Sequence, residues 1–99
     1  MSSNLQIIPG IGKNIEQDLI NIGITDIEAL KGQDPEELYE KDCKYKGLQE
    51  DKCQLYVFRL AVYFAENKIH EPEKLKWWYW KDKEYKSKSR MQNFYTVDL

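Results

Sequence analysis

The stretch Ile8-Pro9-Gly10-Ile11-Gly12-Lys13 decides how the rest of the chain is read. A proline stops whatever helix precedes it, two glycines flank one apolar residue, and a helical pattern starts straight afterwards. Glycine reaches backbone conformations closed to other residues and lets a ligand approach the main chain. A glycine turn that opens a helix also presents unsatisfied N–H groups, an arrangement suited to a phosphate oxygen. The competing explanation is architectural: the glycines only make a tight turn and let two helices pack.

Working outward, Asn4 is placed to cap a short helix over residues 5–8, with Leu5 and Ile8 on one face. From Lys13 onward, Ile15, Leu19, Ile20 and Ile22 recur at helical spacing until Gly23 ends the helix. Thr25 with Glu28 forms a capping box over a short helix ending near Lys31. Asp34-Pro35-Glu36-Glu37 reads as cap, first-position proline and acidic first turn of a helix reaching about Lys44. After the turn Tyr45-Lys46-Gly47-Leu48, the longest helix is expected from about Glu50 to Glu66. Its middle, Leu55 to Ala65, is apolar almost all round except for Arg59, so it belongs in the centre, covered on two sides. Pro72 opens a further short helix, whose Leu75, Trp77, Trp78 and Trp80 supply the cover. No strict alternation of apolar and polar residues occurs, and the fold class expected is all-α. The expected domain is residues 1–82, followed by a charged tail, 83–99, in which Phe94, Tyr95 and Val97 either dock back or form a strand.

The chain also echoes itself. A shift of 37 positions lays Gly10 on Gly47, Ile11 on Leu48 and Ile8 on Tyr45, while Gly12 falls on Gln49. Two helix-turn-helix units joined by the short helix near Thr25 would make one five-helix core.

The formal net charge is −2, so the whole chain is not a polycation. Acidic residues dominate residues 1–67 and basic ones residues 68–90, which places electrostatic attraction to phosphate in the C-terminal third or in local clusters. No basic segment followed by an apolar run begins the chain, and no apolar stretch is long enough to span a membrane. Cys43 and Cys53 lack a CxxC spacing, so two buried reduced thiols in a cytoplasmic protein are expected. With His70 the only histidine, neither a zinc site nor a nucleophile–base constellation is visible, and no enzyme is expected.

The segment from Leu5 to Leu30 resembles the helix-hairpin-helix motif, an apolar-Gly-apolar-Gly turn between two helices. Extended through Lys31–Lys41, Asp51–Glu66 and Leu75–Asp82, the chain resembles the small bacterial pathogenicity-locus family of helix-hairpin-helix proteins. The resemblance implies a double helix-hairpin-helix (SAM-like) five-helix core plus the Trp-rich C-terminal helix. It also implies weak, non-sequence-specific DNA binding through hairpin amides. Carried onto this sequence, the phosphate contacts are Gly10, Ile11, Gly12, Lys13 and Asn14 at the first turn, with Ile11 plugging the turn into the core. At the second turn they are Lys46, Gly47, Gln49 and Lys52. The resemblance allows a monovalent cation on the first hairpin's carbonyls and implies no other cofactor. One departure stands out. The motif usually has alanine four residues after its second glycine, where this chain has Glu16, while the second unit has the small Cys53 there.

Two other functions compete: a protein-interaction module, and a redox or metal-linked protein that rests only on the pair Cys43 and Cys53. A protein-interaction module needs no nucleic acid and suits the acidic first two thirds. Trp77, Trp78 and Trp80, interleaved with lysines, suit base stacking or partner contact as well as core packing, and a dimer through them would serve equally.

Overall fold

The structure is a computed structural model that describes residues 4–85. Among these residues it is all-helical. Three α-helices run Lys13–Asn21 (α1), Pro35–Lys46 (α2) and Lys52–Glu66 (α3), with 3-10 helices at Leu5–Ile7, Glu28–Leu30, Pro72–Leu75 and Trp77–Lys81. Two of the five expected core helices are therefore single 3-10 turns. Three residues cannot close an i→i+4 ladder, and Pro9 and Gly32 stop each segment from lengthening.

Helix α3 is central, with Phe58, Leu60, Ala61 and Val62 fully buried. Leu5, Ile8, Ile11 and Leu19 pack on it with Leu30 and Leu38, and Trp80 closes the opposite flank. The expected Trp-rich helix is two 3-10 segments instead. With three residues per turn, Trp77 and Trp80 share one face and turn inward, which leaves Trp78 outside. Arg59 is the polar bolt of this flank. Its guanidinium donates to Trp80 O at 2.7 Å and to Glu36 Oε2 at 3.0 Å, joining the last segment to α2. Beyond the turn, Tyr85 donates to Glu66 Oε1 and packs edge-on against Trp80, so the packed chain reaches residue 85.

Several caps differ from expectation. Asn4 does not cap the first turn; its Oδ1 accepts from Ile27 N–H at 2.8 Å and ties the N-terminus to the middle of the chain. Asp26 rather than Thr25 accepts the N–H of Ala29. Asp34 does cap α2, and Asp51 caps α3. Cys43 is half-buried and Cys53 is exposed, so the pair is not the two buried thiols expected. Cys53 sits one residue inside the N-terminus of α3, where its side chain turns to solvent rather than to the opposite helix. The expectation for Phe94, Tyr95 and Val97 lies outside the described residues.

Candidate functional site

The first turn is built by two residues. Ile11 N–H donates to Ile8 O at 3.1 Å across Pro9-Gly10, and Gly10 has φ +89°. Proline in second place and a positive-φ glycine in third make this a type II β-turn, which no β-carbon-bearing residue forms without strain. A β-carbon on Gly10 would also meet the side chain of Val57 on α3 at 3.9 Å, so the turn sits on the central helix. Ile11, only 5% exposed, anchors it from below.

Gly12 differs from Gly10. It has φ −97° and ψ −168°, and nothing lies within 4 Å of where its β-carbon would be. It is the N-cap of α1, and with no side chain it leaves the first N–H groups of the helix uncapped. Gly10, Gly12, Lys13 and Asn14 are all exposed here, so four of the five sequence-predicted contacts share one edge while Ile11 belongs to the core. Two of the turn's carbonyls are engaged internally: Ile8 O accepts from Ile11 N–H, and Gly12 O from Glu16 N–H. Glu16 accepts from Gln6 Nε2 at 2.8 Å, which ties α1 back to the first 3-10 turn.

The second turn is made differently. Gly47, at φ +72°, ends α2 in the left-handed conformation, and Gly47 and Leu48 N–H both donate to Cys43 O, at 2.9 and 3.2 Å. This is the Schellman way of closing a helix. Its plug is outside: Leu48 is 57% exposed and Tyr45 61%, where their counterparts Ile11 and Ile8 are buried. Tyr39, Glu40, Cys43 and Leu48 line a groove beside the turn. The amides that open α3 meet a carboxylate already, since Asp51 accepts from Cys53 N–H at 2.9 Å. That hydrogen bond holds the Asp51 carboxyl below its usual range.

Lys46 is the second difference. Its ammonium lies 3.0 Å from Asp18 Oδ2 and 3.8 Å from Asp42 Oδ1, and it also bonds Glu50 Oε1. Burial works against its charge, but the hydrogen bonds to Glu50 and Asp18 outweigh it and raise its pKa. Gln54 Nε2 bridges the same acids, reaching Asp18 Oδ2 at 2.8 Å and Asp42 Oδ2 at 3.1 Å. Asp42 is completely buried, and its Oδ1 has no hydrogen-bond donor. Burial pushes its pKa up, Asp18 adds repulsion, and Lys46 and Gln54 only partly offset them. The oxygens of Asp18, Asp42 and Glu50 lie within 4.8 Å of one another, and the cation among them is Lys46 itself. The phosphate contact expected of Lys46 thus falls on a lysine that already joins α1 to α2. Gly47, Gln49 and Lys52 are exposed around it.

The three tryptophans separate. Trp80 is core, donating from Nε1 to Lys74 O at 3.0 Å, Trp77 is half-buried, and Trp78 is 57% exposed. Sequence reasoning missed the Asp18–Asp42–Lys46–Gln54 cluster. Its signal was there: Asp42 stands four residues after Leu38, on the buried face of α2, and four before Lys46.

Among the described residues no helix is long and apolar enough to cross a membrane. The family described as Cdd1, pathogenicity locus, matches residues 1–86. The mitomycin resistance protein McrB of Streptomyces lavendulae is 33% identical over 78 residues, which cover 79% of this chain and 70% of that protein. No solved structure matches the chain.

Proposed function

The chain belongs to the pathogenicity-locus family, and from that premise we propose that it is a double helix-hairpin-helix domain making weak, non-sequence-specific contact with DNA phosphates through its first turn. The single observation that supports this is Gly12. Neither its backbone angles nor its surroundings call for glycine. What the missing side chain does is leave the first amides of α1 uncovered, beside exposed Lys13 and Asn14. An oxyanion approaching there meets N–H donors, the positive end of a helix and one lysine.

The second turn contributes less. Asp51 occupies the amides of α3, and Lys46 is neutralised by three carboxylates. Binding through one turn is correspondingly weak, about 10 μM or worse near physiological salt.

Gly12→Asp is the direct test. Open space and ordinary angles accept the side chain, and aspartate is a good N-cap, so the fold is retained. The carboxylate then takes the amides and repels phosphate. Titrated into fluorescent duplex DNA at low salt, the parent is expected to bind with an affinity that falls as salt rises, and Gly12→Asp to bind at least about tenfold more weakly. Absence of parent binding, or equal binding by the variant, overturns the proposal.

One observation favours a second function, a protein-interaction module at the second turn. Tyr45 and Leu48 leave apolar surface exposed beside the groove. A complex seated there would persist as salt is raised, which a phosphate contact does not.

A further inference from the structure

The last helical segment leaves one large aromatic ring in solvent. Trp80 fills the core position and Trp77 follows it inward, while Trp78 remains 57% exposed. The ring is not loose. Trp77 stands edge-on to it, with centroids 5.7 Å apart and planes at 89°. Its neighbours are cationic. Lys76 Nζ lies 5.9 Å from the ring centroid, and Lys81 follows Trp78 by three residues, which in a 3-10 helix puts both on one side. Among the described residues neither lysine has an ion-pair partner, whereas Lys74 just before them is paired with Glu71. The nearest following acids, Asp82 and Glu84, lie past the end of the turn.

We propose that Trp78, braced by Trp77 and flanked by Lys76 and Lys81, is a stacking platform for a base of single-stranded nucleic acid. The exposed area of an indole is mostly its uncharged face, which a phosphate does not cover, and in a duplex the base faces are covered by their neighbours. An unpaired base offers its whole face, and the flanking phosphates give the two free ammonium groups their counter-charge. The lysine over the ring supplies a cation–π contact that a base can replace.

This surface is separate from the first turn. Gly10 faces Val57, while Trp80 is fixed to Arg59 and packed on Tyr63, residues roughly opposite Val57 around α3. The inference therefore does not rest on the phosphate contact proposed for Gly12.

The probe is a short oligothymidylate with a terminal fluorescein, titrated at low salt with the intact chain while the anisotropy of the label gives the affinity and tryptophan fluorescence is followed beside it. The parent is expected to be quenched on binding. Trp78→Ala, which removes an exposed side chain and leaves the circular dichroism unchanged, is expected to weaken binding about tenfold, and Trp78→Phe to retain most of it. Lys76→Ala combined with Lys81→Ala is expected to flatten the dependence of log affinity on log salt by about 1.4, two single-strand phosphates at about 0.7 each. Duplex DNA, whose base faces are covered, is expected to leave the tryptophan fluorescence unchanged while it reads the first turn, so the two proposals fail separately. The platform is overturned if the oligomer does not quench the parent, or if Trp78→Ala binds as tightly. It is also overturned if the parent forms a dimer, without nucleic acid, that Trp78→Ala abolishes, for then the ring is a protein contact.

Discussion

The two glycine turns align in sequence and differ in construction. Each places a glycine at positive φ before a helix, Gly10 ahead of α1 and Gly47 ahead of α3. At the first, Pro9 and Gly10 form a β-turn, Ile11 is driven into the core, and the next helix starts on a bare glycine. At the second, Gly47 terminates a full helix, Leu48 stays outside, and the next helix starts on an aspartate that occupies its own amides. A positive-φ glycine before a helix therefore comes with an anchored floor and an open rim in one place, and a loose floor and an occupied rim in the other. A glycine repeated in sequence keeps its sign of φ without carrying the turn type or the binding surface with it.

The largest effect that tests this difference lies in the two plugs. Ile11→Ala removes a side chain from the core and is expected to cost about 2–4 kcal/mol of unfolding free energy. Leu48→Ala removes one that is mostly in water and is expected to cost under about 0.5 kcal/mol. Denaturant midpoints measured side by side check both. Equal costs would mean that the second plug is seated like the first.

A smaller effect separates the two rims. Asp51→Ala deletes the cap of α3 and is expected to lower the unfolding temperature by a few degrees at most. Asp51→Ser keeps a capping oxygen, removes the charge, and is expected to retain most of that stability while tightening duplex DNA binding a few-fold. Thermal unfolding and the same DNA titration read the two consequences apart. If Asp51→Ser left DNA affinity unaltered, the carboxylate would not be what distinguishes the second rim from the first.

Much of this was legible in the residues, for physical reasons that also explain the failures. The α-helices were marked by local chemistry: Asp34-Pro35 at one start, Gly23 at one stop, and an apolar middle from Leu55 to Ala65. Arg59 stood out as the one charge in that middle, and it proved to be bolted to Trp80 and Glu36. The short elements were harder to read, because whether three or four residues form a 3-10 turn or a helix is set by what they pack on. Side-chain partners distant in sequence were not legible at all. Asn4 was placed to cap its own helix and instead reaches Ile27. Lys46, beside Gly47 in the second turn, looks in sequence like a free cation for phosphate, although Asp18 on another helix and Gln54 on a third complete its surroundings. Asp42 carried a readable warning in its register with Leu38, since a carboxylate on a buried face must find a partner.

That carboxylate gives the smallest effect, and the one that reaches furthest into the comparison. Burial and the repulsion of Asp18 and Glu50 raise the pKa of Asp42 in the folded protein, against the pull of Lys46 and Gln54. A raised acid pKa means that the folded state binds a proton more readily than the unfolded one. The stability Asp42 contributes is therefore full below the ordinary aspartate value of about 3.9, and it is lost as pH rises through the folded value. At neutral pH the ionised Asp42 is a cost that Asp42→Asn should remove. The variant is expected to be more stable than the parent at pH 7, with the difference shrinking or reversing as pH falls towards 4. Lys46 keeps Asp18 and Glu50 in the variant, so the tie between α1 and α2 persists and DNA binding at the first turn is expected to be unchanged. If Asp42→Asn instead destabilised the protein at pH 7, Asp42 would be the principal partner of Lys46. The second turn's lysine would then be held by its own helix, and not by Asp18 reaching across from the helix that the first turn opens.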